Sequence, residues 1–299
     1  MKERWTRYWL VLPGVLTVLA SAVWPLIEAF YLSFRDWRLN QSAQSKPLWL
    51  PSDGWSEIAY LFDNYARAFE DPSFWNAARV TAIFCIASVA LTLLLALGCA
   101  LLLSSPGRVR AVLRSLLILP FAISPALIGI NWRFMFNAEY GFVASLAKVF
   151  GMSGPVPNWL GSPTGAMAIL VSSDVWHWTP YVTMMFIGAL ASVPREAQEA
   201  ARIDGASEWR VFRDVTLPII RPVIGLAAVL KSIFALKVFE QVYLITNGGP
   251  GNSTQTLAHY IYYQGMKYTD MGYASALSYL LVIPLAILVV VHTRAVFKR

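Results

Sequence analysis

The sequence predicts an all-α integral membrane protein with six transmembrane helices. Three observations carry that expectation. The 299-residue chain is 57% hydrophobic and only 14% charged, where a soluble domain would carry about a quarter charged residues. Its mean hydropathy is +0.53, and its apolar residues gather in runs of about 20, the length that crosses a hydrocarbon core. Its basic residues lie mostly between those runs. The formal net charge of +7 therefore reads as membrane topology rather than as a surface for nucleic acid.

The runs follow in order. The first, 10–34, is too long for a signal-peptide core and has no small-residue cleavage site after it, so it is a span. The second, 77–103, carries both cysteines, Cys85 and Cys99. One helix sets them about 21 Å apart, too far to pair. The third, 112–136, contains Pro120 and Pro125; the fourth, 165–190, contains Pro180. The fifth is 219–246, and the sixth, 272–296, contains Pro284. Neighbouring helices in a bundle tolerate such kinks by satisfying the freed backbone groups. Lys2, Arg4, Arg7, Arg108, Arg110, Arg114, Arg195, Arg202, Arg210, Arg213, Arg221, Arg294, Lys298 and Arg299 fall on one side. By the positive-inside rule this side is cytoplasmic and holds both termini. Arg35, Arg38, Lys46, Arg67, Arg79, Lys148 and Lys267 fall on the other side, which carries more acids. Tyr31, Phe34, Trp37 and Trp75 mark that outer interface. The outer connection 35–76 adds Trp49, Trp55, Tyr60, Phe62, Tyr65 and Phe69, too aromatic for a disordered linker. No internal repeat or soluble domain boundary is visible, so 1–299 reads as one membrane domain.

The most polar long segment is the cytoplasmic loop at 194–218. Pro194 suits a first helical turn. Glu196 and Glu199 complement the helix dipole, and Asp204-Gly205 stops the helix where a left-handed residue costs little. Ser207 caps a second short helix to about Arg213, and Leu217-Pro218 ends it and opens the fifth span. An interfacial helix lying on lipid would show Trp, Phe and Leu on one face. The first helix shows alanines instead, and the loop's small residues, Ala197, Ala200, Ala201 and Ala206, would let another protein approach closely.

These residues resemble a known family. Glu199, Ala200, Ala201, Gly205, Val215, Leu217 and Pro218 match the signature loop of permease subunits in binding-protein-dependent ABC importers, with Val215 where isoleucine is usual. The segment "LITNGGPGNSTQT" after the fifth span resembles the carbohydrate-uptake branch, especially the maltose-type larger permease subunit. Its Gly248-Gly249-Pro250 also reads simply as an outer turn. The resemblance implies a type I importer permease fold in the bacterial inner membrane. It implies a second permease subunit, two cytoplasmic ATPase subunits and an extracytoplasmic solute-binding protein as partners, with sugar as the cargo. The coupling role falls on Glu196, Glu199, Ala200, Ala201, Asp204, Gly205 and Ala206. ATP acts by contact, because the chain has no phosphate-binding G-x-x-x-x-G-K-[ST] loop of its own, and no cofactor is implied.

The resemblance also places a sugar site mid-membrane, on the spans flanking the loop. The positions carried over are Asp174, His177, Trp178 and Tyr181, then Lys231, Phe234 and Ala235. Residues 174, 177, 178 and 181 share one helix face. Charge here departs from the family pattern. Two readings of Lys231 stay open: it pairs with Asp174, or it meets an anionic sugar derivative, glycerol phosphate or polyol. Lys237 and Glu240 are placed to pair on one helix face. An ion-coupled carrier would show repeats and mid-membrane acids. A membrane enzyme would need a metal or acid–base cluster, whereas His177, His259 and His292 lie on different segments without ligand spacing.

Overall fold

The computed structural model describes residues 11–40, 62–150 and 158–297. Lys2, Arg4, Arg7, Lys46, Trp49, Trp55, Tyr60, Lys298 and Arg299 lie outside the described residues, as does the side chain of His292. Among the described residues the regular structure is helical. The helices are α1 (Val11–Ser33), then α2 (Asp63–Glu70), α3 (Pro72–Leu103), α4 (Arg108–Leu117), α5 (Leu119–Ala122), α6 (Pro125–Met135), α7 (Phe142–Val149), α8 (Pro163–Ala191), α9 (Arg195–Ile203), α10 (Glu208–Val211), α11 (Leu217–Leu236), α12 (Glu240–Ile245), α13 (Leu257–Tyr262) and α14 (Met271–Phe297).

The sequence predicts six unbroken spans. The described residues contain four helices long and apolar enough to cross a membrane, or five if a bent pair counts as one. Three expected spans are altered, each for its own reason. The third is broken: Arg108–Ala122 and Pro125–Met135 meet at 94°. Pro125 takes the first turn of α6, and Ser124 caps that helix by accepting from the Leu127 N–H at 3.4 Å, so the chain restarts rather than kinks. The fourth, α8, has the length but not the composition. Its mid-helix polar residues, Ser173, Asp174, His177 and Thr179, are all buried, so it belongs inside the bundle where apolarity is not required.

The fifth span ends early. α11 stops at Leu236, and Val238 and Phe239 redirect the chain into α12. α12 lies on α6 at Gly129, where a Cβ would stand 2.7 Å from Leu244 Cβ. The redirection also corrects the expected Lys237–Glu240 pair, since no continuous helix joins them. Lys237 Nζ lies instead over the Phe234 ring, 4.8 Å from its centroid. A further correction concerns Leu217-Pro218, which does not end a helix. Glu208–Leu236 is one helical run, with a π turn at Phe212–Thr216 closed by the Leu217 N–H on the Phe212 carbonyl. The wider turn accommodates Pro218, which brings no N–H to the helix ladder.

The chain forms two compact units, described here separately. The first comprises the described residues up to Trp75 with Tyr260–Pro284. Asp71 is its knot. Its carboxylate accepts from Tyr260 Oη, from Tyr273 Oη at 2.9 Å and from the Ser73 N–H at 2.8 Å. Burial raises the Asp71 pKa, but these donors outweigh it and hold the carboxyl below its usual range. Arg67 pairs with Asp270 at 2.7 Å and lies over the Tyr273 ring at 4.0 Å. The aromatic outer connection is thus ordered where it is described, with Phe34 packed on Phe62 and Tyr65.

The second unit, Asn76–His259 with the residues from Leu285 on, contains the candidate site. α3, α8 and α11 close on one another where their side chains are small, at Ala96, Ala100 and Ala227 around Val182 and Phe186. The "TNGGPGNSTQT" turn is built from left-handed residues: Asn247, Gly248, Gly251 and Asn252 have φ of 50°, 80°, 54° and 62°. Thr254 closes it, its N–H donating to the Gly248 carbonyl at 3.1 Å and its Oγ1 to the Gly249 carbonyl at 2.6 Å. Gly248 has a second constraint, since a Cβ there would sit 2.9 Å from the His259 ring, whereas nothing lies within 4 Å at Gly251.

That contrast gives a prediction. Gly248→Ala combines a left-handed backbone with a steric clash and costs about 2 kcal/mol, whereas Gly251→Asn, in open space with a residue that tolerates this conformation, is nearly neutral. Thermal melts of the purified variants check this, and equal melting points would refute the packing argument.

Candidate functional site

The candidate site begins with the spacing of α8. Asp174, His177, Trp178 and Tyr181 fall on one helix face because successive residues rotate by about 100°. Facing them is α11, which brings Lys231, Phe234 and Ala235. Asp174 and Lys231 meet at 2.5 Å with side-chain exposures of 4% and 0%. Ser88 of α3 donates to the same Asp174 oxygen. One carboxylate therefore ties three helices together. Burying two charges is costly and is offset only when they are paired and hydrogen-bonded, as they are here.

Around the pair stands an aromatic wall. Lys231 Nζ lies 5.3 Å from the centroid of the Trp178 ring. Trp178 packs on Phe234, centroids 4.5 Å apart, and meets Tyr181 edge-on at 6.0 Å. Phe121, from the break in the third span, stacks on Tyr181 at 4.8 Å and on His177 at 5.6 Å. The His177 ring nitrogen Nδ1 lies 3.0 Å from the Pro120 carbonyl, which fixes the ring against the break. The structure thus gathers six of the seven expected positions. Ala235 stands apart: it is fully buried in an apolar cluster with Val175, Val238 and Val242. Phe121 and Ser88 were not among the expected residues. The Pro120-Phe121 step beside the break was the sequence signal for the first. A serine in an apolar span gave little signal for the second.

The loop at 194–218 folds as two helices around a turn. α9 covers Arg195–Ile203, with Pro194 at its N-cap. Gly205 follows with φ +82°, the conformation that glycine adopts at no steric cost. Ser207 caps α10 by accepting from the Arg210 N–H at 3.4 Å. Arg202 spans the turn with two hydrogen bonds to Glu208, at 2.7 and 3.1 Å. Gln198 donates to Thr216 Oγ1 at 3.2 Å, and Val193 is buried with Ala189 and Ile220. The loop is therefore braced internally and anchored to α8 and α11. Glu196, Glu199, Ala200, Asp204 and Gly205 are exposed, and Ala201 and Ala206 are half-buried. Two large apolar side chains escaped the sequence reading, Ile203 at 85% and Trp209 at 66% exposure. Exposed apolar groups of this size mark a surface that a protein or a membrane covers.

Four likenesses to known proteins bear on this geometry. Residues 76–299 match the family described as "Binding-protein-dependent transport system inner membrane component". The chain is 33% identical over 280 residues to the trehalose/maltose transport system permease protein MalF of Thermococcus litoralis, covering 93% of this chain and 89% of that protein. It is 32% identical over 285 residues to the sulfoquinovosyl glycerol transport system permease protein SmoG of Agrobacterium fabrum, covering 92% and 88%. Its fold matches a chain in the crystal structure of a bacterial ABC transporter involved in import of the acidic polysaccharide alginate, with TM-score 0.81, 20% identity and coverage of 99% of this chain and 96% of that one.

The buried pair makes a clear prediction. Asp174→Ala or Lys231→Ala leaves one uncompensated charge and costs about 3–5 kcal/mol. Asp174→Leu combined with Lys231→Met replaces both charges by apolar groups of similar volume and recovers most of that loss. Melting curves and the yield of monodisperse protein from membranes report both effects. A double variant no better than the singles would show that the pair is not what holds these helices.

Proposed function

Since the chain belongs to the family of binding-protein-dependent transport system inner membrane components, we propose that it is the permease subunit of an ATP-driven importer that passes a saccharide along the α8–α11 face. The observation that carries this is the aromatic wall of Phe121, Trp178, Tyr181 and Phe234 beside a charge pair that cancels itself. Aromatic faces with a few fixed polar groups are the usual lining of a small-molecule site, and they suit the C–H faces of a sugar ring. Lys231 has no charge to spare, because Asp174 consumes it, so the wall favours an uncharged saccharide over an anionic derivative.

The remaining parts take roles consistent with that reading. The chain spans the inner membrane six times, with α8 as the internal span and both termini cytoplasmic. It works by alternating access and catalyses nothing itself. Residues 194–218 seat on one of two ATPase subunits, through Ile203 and Trp209 as well as the Glu196–Ala206 turn. A second permease subunit covers α1, whose apolar window is 0% buried in this chain. The outer turn at Gly248–Thr254 faces the solute-binding protein that delivers the sugar.

Reconstitution with the partner subunits tests this. Gly205→Val forces a β-branched residue into a left-handed backbone. It should lower ATP-driven uptake at least about tenfold while membrane levels stay parental, as expected when motion is no longer transmitted through a correctly shaped turn. Tyr181→Ala should lower uptake without changing the affinity of the solute-binding protein for its sugar. Parental transport by Gly205→Val would remove the coupling role, and parental transport by Tyr181→Ala would remove the site assignment.

A further inference from the structure

A second cavity lies on the other side of α8 from the aromatic wall. It is a groove of about 1260 Å³ between α3, α4 and the far face of α8, larger than the roughly 300–1,000 Å³ of most small-molecule sites. Leucines line it, among them Leu91, Leu95, Leu102, Leu113 and Leu116, all 42% exposed or more. The α8 side chains at its back, Val175, Trp176 and Thr179, point away from the Tyr181 and Trp178 face. Ser172, Trp176 and Thr179 bring the few polar groups of its body, too few for a sugar's many hydroxyls.

Its charge is confined to one end. Arg108 and Arg110 stand there beside Gly107, both exposed. Among the described residues no salt bridge engages either of them. Arg110 donates to the Pro106 carbonyl at 3.2 Å and keeps its other donors. Arg114, by contrast, is occupied in capping α3, donating to the carbonyls of Leu103 and Ser105. The groove is thus an apolar slot with two available guanidinium groups at its mouth.

From this geometry we infer that the groove is a binding site for an anionic glycerophospholipid of the cytoplasmic leaflet. Its acyl chains lie along the leucines and its phosphate lies on Arg108 and Arg110. The dimensions fit. From Leu91 to Leu103 the α3 helix rises about 18 Å, close to the roughly 15 Å of one leaflet's hydrocarbon. The charged end is the cytoplasmic end by the positive-inside rule, and that leaflet carries the anionic headgroups. A partner helix is the other conceivable occupant. Helix–helix contacts in membranes favour small side chains that let backbones approach, whereas this lining is long and leucine-rich. The inference rests on the inner-membrane assignment and is independent of the solute that crosses. It also places the lipid against the back of the helix that carries Asp174 and His177.

Cys99 lines the groove and supplies a reporter. Cys85→Ala leaves it as the chain's one thiol, to be labelled with bimane in the complete complex assembled with cysteine-free partner subunits. The complex is placed in nanodiscs doped with phosphatidylglycerol or phosphatidylcholine brominated on the acyl chains. The expected result is a roughly tenfold lower half-quenching fraction for the brominated phosphatidylglycerol, as two arginines near an anionic headgroup imply. Arg108→Gln with Arg110→Gln should erase that preference, and Leu95→Trp should weaken quenching by both lipids. Equal quenching by both lipids in the parental protein would overturn the inference, as would a preference that survives loss of both arginines. A label that neither lipid quenches would also overturn it, and would assign the groove to a helix of the partner permease.

Discussion

The arrangement depends on one contact, the ion pair between Asp174 and Lys231 with Ser88 donating to the same carboxylate. A charge inside a membrane protein must be paired or must reach water. Once the sequence placed an aspartate in α8 and a lysine in α11, neither helix was free to face lipid with those side chains. The pair fixes the mutual rotation of α8 and α11, and Ser88 adds α3. From that rotation follows which residues meet. Trp178 and Tyr181 turn toward Phe121 and Phe234, while Val175 and Thr179 turn to the leucine-lined groove. The same helix therefore presents an aromatic face on one side and an apolar back on the other.

Much of this was legible in the sequence because it is local. Apolar length alone placed the end of α1, 34 against Ser33, the end of α3, 103 against Leu103, and the start of α14, 272 against Met271. The loop was readable for the same reason. A glycine after a polar helix and a serine three residues before a backbone donor are short-range chemistry, and Gly205 and Ser207 do what their spacing implies. The Asp174–Lys231 pair stood as one of two open readings, and the geometry selects it.

What the sequence hid is tertiary. The chain from 219 to 246 is apolar throughout, so nothing local announces that α11 stops at Leu236. The stop lets α12 settle on α6 at Gly129, a contact between segments more than a hundred residues apart. Likewise Pro120 and Pro125 promise a disturbance without setting its size. At the 94° bend, His177 reaches the Pro120 carbonyl and Phe121 fills the space against Tyr181. Proline removes a backbone donor, and the neighbouring helix decides where the chain then goes.

The path of force from the loop follows from these contacts. α8 enters the loop and the Glu208–Leu236 helix leaves it, so both helices of the proposed site hang on one element. Val193 packed on Ile220 and Gln198 bonded to Thr216 fasten that element to both. Under the proposed function, a push on the loop reaches α8 and α11 together. Separating them would break a buried ion pair, which costs several kcal/mol, and would expose Lys231 to an apolar surround. Moving them as one body leaves the pair intact. The compliant point must then lie elsewhere, and the break between α5 and α6 supplies it. There the helix is already interrupted, and its links to α8 include the His177 contact with the Pro120 carbonyl and the Phe121 ring packed on His177, Trp178 and Tyr181. A rigid α8–α11 pair sliding past Phe121 changes the width of the aromatic wall at little electrostatic cost, whereas splaying the pair changes it at the greatest cost this bundle offers.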